Sequence, residues 1–115
     1  MMPYERLEAY RAAHELAKGV YRLTRGFPVD ERFGLVAQLR RASVSVAVNI
    51  AEGSAKRGSR EFRRFLDISL GSLSEVACLL RLARDLGFCS GPDWDQTDQL
   101  RDRAGKLVWG LYRSL

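Results

Sequence analysis

Histidine, cysteine and proline are scarce in this sequence. The 115 residues contain one histidine, two cysteines and three prolines. A metal site needs several convergent ligands and a catalytic triad needs a base held beside its nucleophile, so His14 alone argues against both. Cys78 and Cys89 lack the CxxC spacing of metal and redox motifs, and we expect reduced thiols, with Cys78 as a small core residue. The sequence therefore predicts no metal, no cofactor and no catalytic residues.

Long apolar runs are also missing. The longest stretch without a charge covers residues 42–51, whereas a membrane-spanning helix needs about 20 apolar residues. Residues 1–15 (MMPYERLEAYRAAHE) carry a charge every few positions, which is not the pattern of a signal peptide. We therefore expect a cytoplasmic protein without a membrane segment. The length is typical of one domain, here residues 1–115.

The positive charge of the chain is concentrated in one region. Of the 19 lysines and arginines, seven lie in residues 40–64, together with two of the 14 acidic residues. The other residues carry equal numbers of basic and acidic side chains, so this region holds the whole net charge of +5. Its basic residues are Arg40, Arg41, Lys56, Arg57, Arg60, Arg63 and Arg64.

Apolar residues recur every three or four positions in four successive segments, which is the period of an amphipathic α-helix. The first helix is expected to open at Pro3, since proline suits the first turn of a helix. Asp30 and Ser59 are the expected N-caps of the second and third helices, and Asp93 with Gln96 is the expected capping box of the fourth. The expected ends are at Gly26, Gly53 and Gly87. Short turns between successive helices force antiparallel neighbours. The predicted fold is all-α, an up-down-up-down antiparallel four-helix bundle.

Two of the predicted helices have more apolar surface than one bundle needs to cover. Residues 42–51, in the second helix, are apolar on every side, so we expect them to be buried on every side. One stripe of the third helix consists of Phe62, Leu66, Ser69, Leu73, Val76, Leu80 and Ala83. A second stripe consists of Ile68, Ser72, Glu75, Leu79, Leu82 and Leu86. The apolar residues of the second stripe predict a contact with other copies of the chain.

Four polar residues stand among these apolar ones: Asn49, Glu52, Ser72 and Glu75. Asn49 and Glu52 lie three apart on one helical side, and without a base or a metal ligand nearby a structural role is favoured. They are expected to satisfy polar groups of a neighbouring helix, with Arg41 and Ser72 as candidates, and to fix the helix register. Glu75 is a candidate to bridge to Arg40 or Arg41 of another copy.

Five basic residues form what we call the basic cluster: Lys56, Arg57, Arg60, Arg63 and Arg64. They lie within nine residues, at the predicted start of the third helix, where free N–H groups and the helix dipole also favour phosphate. The alternative is a solvated charged surface without a ligand. A ring of identical subunits would repeat the cluster, and weak phosphate contacts would then add. Arg40 and Arg41 are possible contributors to the same surface.

Three segments carry a family resemblance: QLRRASVSVAVNIAEG, EFRRFLDISLGSLSE and LARDLGF. They resemble proteins encoded in intervening sequences of 23S rRNA genes, and the accessory variability protein of diversity-generating retroelements is similar to the same family. The resemblance implies a four-helix protomer that assembles into a barrel-shaped homopentamer. For the retroelement branch it also implies binding of nucleic acid and of a reverse transcriptase. The family usually has Trp, Pro and Ser where this chain has Tyr10, Ala47 and Val48.

Two functions follow as expectations. The first is a non-enzymatic homo-oligomeric scaffold, a pentamer by the resemblance, that binds RNA or DNA through the basic cluster. The alternative is a protein–protein adaptor, for example for a reverse transcriptase or a ribosomal component, that does not itself bind nucleic acid. A hydrolase is disfavoured because the chain lacks a histidine and carboxylate cluster.

Overall fold

A computed structural model describes residues 2–115 of the chain. These residues form four α-helices, α1 (Glu8–Thr24), α2 (Leu35–Ser54), α3 (Ser59–Asp85) and α4 (Gly91–Ser114). Short 3-10 helices, Pro3–Arg6 and Val29–Glu31, precede α1 and α2. The helices alternate in direction, and α1 and α3 each pack against both α2 and α4, so α1 and α3 occupy opposite corners of the bundle.

One apolar core runs along the inside of the bundle. Leu16 of α1, Leu39 and Ile50 of α2, and Leu66 and Leu80 of α3 are fully buried in it. Ala104 and Val108 of α4 complete the inner surface. The prediction of an all-α four-helix bundle is confirmed. Within residues 2–115 no helix has the length and apolarity needed to cross a membrane.

The α2 and α3 helices approach each other closely. Ser69 is buried, and its Oγ donates a hydrogen bond of 2.9 Å to the carbonyl oxygen of Val46. Gly53 lies inside α2, and a Cβ added to it would stand 2.7 Å from Cβ of Phe65 and 3.0 Å from Cδ1 of Phe62. The prediction that Gly53 follows the helix end is wrong. This glycine is needed because only a residue without a side chain allows that approach.

Helix starts also differ from the predicted ones. Asp30 lies in a 3-10 helix, and the N-cap of α2 is Gly34. Ser59 is the first residue of α3, and the N-cap is Gly58 with φ +87°. Glycine adopts such a φ without the strain that a Cβ would add. The end of α3 matches the prediction: Gly87 has φ +80° and the backbone N–H of the next residue, Phe88, donates to the carbonyl of Ala83 at 3.0 Å.

The two stripes of α3 have different environments. The first stripe faces the core and is buried or half-buried along its length. In the second stripe, Leu79 packs into the protomer core and is not available to a partner, which corrects its assignment to the outer contact. Ile68, Leu82 and Leu86 are 44%, 45% and 53% exposed. The outer surface of α3 therefore presents three large apolar side chains.

Candidate nucleic-acid interface

The basic cluster covers the turn between α2 and α3 and the first two turns of α3. Lys56, Arg57 and Arg60 are exposed at this end of the bundle. The turn is short because α2 ends at Ser54 and the positive φ of Gly58 lets the chain enter α3 almost at once. The cluster therefore projects from a short junction between two closely packed helices.

An aromatic ring lies beneath part of the basic cluster. The Lys56 ammonium lies 5.4 Å from the centroid of the half-buried Phe65 ring, and the guanidinium carbon of Arg64 lies 5.0 Å from it. Such cation–π contacts orient the two cations at little cost in solvation. Arg64 also forms an ion pair of 3.3 Å with Glu61, one helical turn earlier. The pair is exposed, so it offsets little of the positive charge.

Arg63 connects this end of α3 to α4. It is half-buried, and its Nη1 donates a 2.6 Å hydrogen bond to the backbone carbonyl of Leu115. A guanidinium has five N–H donors, so this bond leaves others free. Arg63 therefore both holds the end of α4 beside the basic cluster and adds to the charge there.

Arg40 and Arg41 do not belong to this surface. They lie near the other end of α2, about 20 Å from its last turn at 1.5 Å per residue. Arg40 Nε donates to Thr24 Oγ1 at 2.9 Å, and its guanidinium carbon lies 4.4 Å from the centroid of the Tyr21 ring. Arg40 thus joins α2 to α1, whereas Arg41 is exposed. The expected contribution of both residues to the cluster is corrected by the length of the helix.

The polar residues on the outer side of α2 and α3 are connected through Ser45. Asn49 Nδ2 donates to the carbonyl oxygen and to Oγ of Ser45, at 2.9 and 3.0 Å. Ser72 Oγ donates to Ser45 Oγ at 2.9 Å, which links α3 to α2. Asn49 thus bonds within its own helix, which corrects its expected contact with a neighbouring one. The hydrogen bond to Ser72 is made by Ser45, which the sequence analysis did not select. Glu52 and Glu75 are exposed.

The predicted absence of a metal site can be compared with the grouping of the possible ligands. Within residues 2–115 no three His, Cys, Asp or Glu side chains are grouped so that they could hold a metal ion. His14 is exposed, with its ring centroid 6.0 Å from that of Tyr10. Burial raises the pKa of the Tyr10 hydroxyl, as do Tyr4 and Glu5 nearby. Burial likewise raises the pKa of the Cys89 thiol, which Arg84 partly offsets, so Cys89 is a poor nucleophile.

The remaining cysteine was assigned wrongly. Cys78 is exposed on α3, not buried in the core. Val76 and Leu80, two residues before and two residues after Cys78, are buried. Two steps of about 100° each place Cys78 on the opposite side of the helix from both.

Sequence comparison identifies the family. A family model described as 23S rRNA-intervening sequence protein matches residues 5–110. The chain belongs to this family. No curated protein sequence matches the chain. The family resemblance of the three sequence segments is thus confirmed over nearly the whole chain.

A solved structure has the same fold as this 23S rRNA-intervening sequence protein. It is a protein of unknown function from the S23 ribosomal protein family of Bacteroides thetaiotaomicron, with a TM-score of 0.79 and 19% sequence identity. The match covers 90% of this chain and 97% of that one. At this identity the likeness establishes the fold alone. The fold and the family of this chain are thus shown.

Proposed function

We propose that this protein is a non-enzymatic, homo-oligomeric scaffold that binds RNA or DNA through the basic cluster. The observation that carries the proposal is the exposure of Lys56, Arg57 and Arg60 together, where the chain passes from α2 into α3. Among residues 2–115, Arg64 is the member of the cluster that forms an ion pair with a carboxylate. Four of the five positive charges therefore remain available to an anion.

The geometry of this end of the bundle favours phosphate. The free N–H groups of the first turn of α3 and its helix dipole add to the charge of the basic cluster. Glu5 and Glu8 lie near the start of α1, which is diagonally across the bundle from α3. These two carboxylates are therefore on the far side of the bundle from the basic cluster. Because Lys and Arg contacts to phosphate carry no base information, we expect binding that depends on charge and shape rather than on sequence.

A second copy of the chain is the proposed occupant of the outer apolar surfaces. On α2, Val44 and Val48 are exposed beside Arg41 and line a groove of about 750 Å³. On α3, Leu82 is exposed, about two turns from the exposed Glu75 and about four turns from the exposed Ile68. Arg41 on the α2 surface and Glu75 on the α3 surface have opposite charges. Together with the apolar residues, they favour contact between the α2 side of one copy and the α3 side of the next.

This contact joins two different surfaces of the chain, so it is a head-to-tail contact. A contact of that kind closes into a ring when the rotation between copies permits. A ring would present the basic cluster once per subunit, and the phosphate contacts would add through effective concentration. The pentamer implied by the family resemblance is one such ring.

Charge reversal tests the nucleic-acid proposal. We expect the double variant Arg57→Glu, Arg60→Glu to bind labelled RNA or DNA at least about 100-fold more weakly, since two charge-assisted contacts are worth about 1.5 kcal/mol or more each. The control is Arg25→Glu, Arg103→Glu, which changes the net charge equally at exposed positions elsewhere. Equal affinities of the two double variants in a fluorescence anisotropy titration would contradict the proposal.

The adaptor function is the second candidate, and the same apolar groove favours it. Tyr21, Val36 and Val44 line that groove, and a partner protein could cover it in place of a second copy. An adaptor predicts that a captured polymerase or ribosomal component is retained by the Arg57→Glu, Arg60→Glu variant. The nucleic-acid proposal predicts that capture through RNA is lost in that variant.

A further inference from the structure

An exposed aromatic stack lies near the end of α4. The rings of Trp109 and Tyr112 are nearly parallel, with centroids 5.6 Å apart and an interplanar angle of 9°. Trp109 is 50% exposed, whereas Tyr112 packs against the core. One stacked indole is therefore held on a fixed support with much of its surface in solvent.

The stack is close to the basic cluster. Arg63 of the cluster binds the Leu115 carbonyl at 2.6 Å, and Tyr112 is one helical turn before Leu115. Trp109 follows one turn further back, so the stack begins about 5 Å along α4 from the Arg63 contact and extends about another 5 Å. Arg113, which is exposed, adds a cation beside the stack. Cations and a flat apolar surface thus share one end of the bundle, at the junction of α3 and α4.

Unpaired bases fit this combination. Proteins that bind single-stranded nucleic acid without sequence preference join a basic surface for the phosphates to aromatic side chains on which bases stack. A duplex keeps its bases stacked on one another inside the helix, so it offers phosphates to the basic cluster but no free base to Trp109. The phosphate contacts alone would not distinguish the two forms.

We infer that the protein prefers single-stranded nucleic acid, with phosphates on the basic cluster and at least one unpaired base stacked on Trp109. The inference rests on the proposed function and names its ligand class. The shared chemistry is an unpaired base on a phosphate backbone, which single-stranded RNA and DNA both supply.

The test compares ligands with and without unpaired bases. Four labelled ligands of about 12 nucleotides are titrated: unstructured single-stranded RNA, single-stranded DNA, a DNA duplex, and an abasic DNA strand. Substitution of Trp109→Ala should weaken binding to the two base-bearing single strands about tenfold, because base–aromatic stacking contributes about that factor per base. Binding to the duplex and to the abasic strand should stay within about twofold. Trp109→Phe, which keeps a stacking ring, should recover most of the loss.

The outcomes separate the two ideas. If the wild-type protein binds none of the four ligands, the proposed function fails. If the wild-type protein binds but Trp109→Ala changes all four affinities equally or none of them, only the preference for unpaired bases is overturned. A change in the mass of the Trp109→Ala variant in solution would also overturn it, because Trp109 would then belong to a contact between copies. A stronger effect on RNA or on DNA identifies the preferred backbone.

Discussion

Gly53 shows at the scale of one residue why the α2 and α3 helices come together at the basic cluster. Its missing side chain leaves room for Phe62 and Phe65, and the Phe65 ring in turn supports Lys56 and Arg64. The orientation of two cations thus depends on a glycine in the neighbouring helix. Gly53 is the last residue of the family segment QLRRASVSVAVNIAEG. Its contact with Phe62 and Phe65 of α3 is visible only in the structure.

Substitution of Gly53→Ala should destabilise the protein. The new Cβ would stand 2.7 Å from Cβ of Phe65, which is attached to the backbone and cannot turn away. Overpacking of this kind costs about 1–3 kcal/mol. Urea unfolding followed by circular dichroism measures the change. The control Gly105→Ala lies in α4 with open space around it and should be stabilised by up to about 1 kcal/mol. Equal stability of the two variants would contradict the packing argument.

At the scale of helices, the apolar periodicity predicted all four helices correctly. The residues typical of helix ends predicted the positions of those ends less well. The first stripe of α3 and the end of α3 at Gly87 were predicted because each depends on residues within one helix. The starts at Asp30 and Ser59 were wrong because a cap contributes only about 1 kcal/mol, which packing readily overrides. Burial of Leu79 was also missed, since it depends on how closely the neighbouring helices approach.

The outer surfaces of α2 and α3 predict self-association. We expect light scattering to give a mass that is a multiple of 13.0 kDa, five times this value for a pentamer. The variant Leu82→Glu should shift the mass toward that of a single chain, because it places a charge in the apolar contact. Ser74→Glu, an exposed control on α3, should keep the wild-type mass. A wild-type protein that stays at 13.0 kDa at micromolar concentration would contradict the predicted contact.

At the scale of the whole molecule, the sequence located the basic cluster but grouped too many residues with it. Arg40 and Arg41 are close to Lys56 in sequence and about 20 Å away along α2. Trp109 and Arg113 are far away in sequence and near the cluster because Arg63 holds the end of α4 there. The length of α2 explains why Arg40 and Arg41 do not belong to the cluster. The antiparallel bundle explains why Trp109 and Arg113 lie near it, since it brings the end of α4 beside the start of α3.

Salt dependence of nucleic-acid binding tests the central claim, which is that the basic cluster binds phosphates. Affinity for a labelled single strand is measured between about 50 and 200 mM salt. With three to five phosphate contacts, each contributing about 0.7, the logarithm of the binding constant should fall against the logarithm of salt concentration with a slope of about −2 to −3.5. The Arg57→Glu, Arg60→Glu variant should show a smaller slope. A wild-type affinity that does not change with salt, or no binding at the lowest salt, would contradict the account.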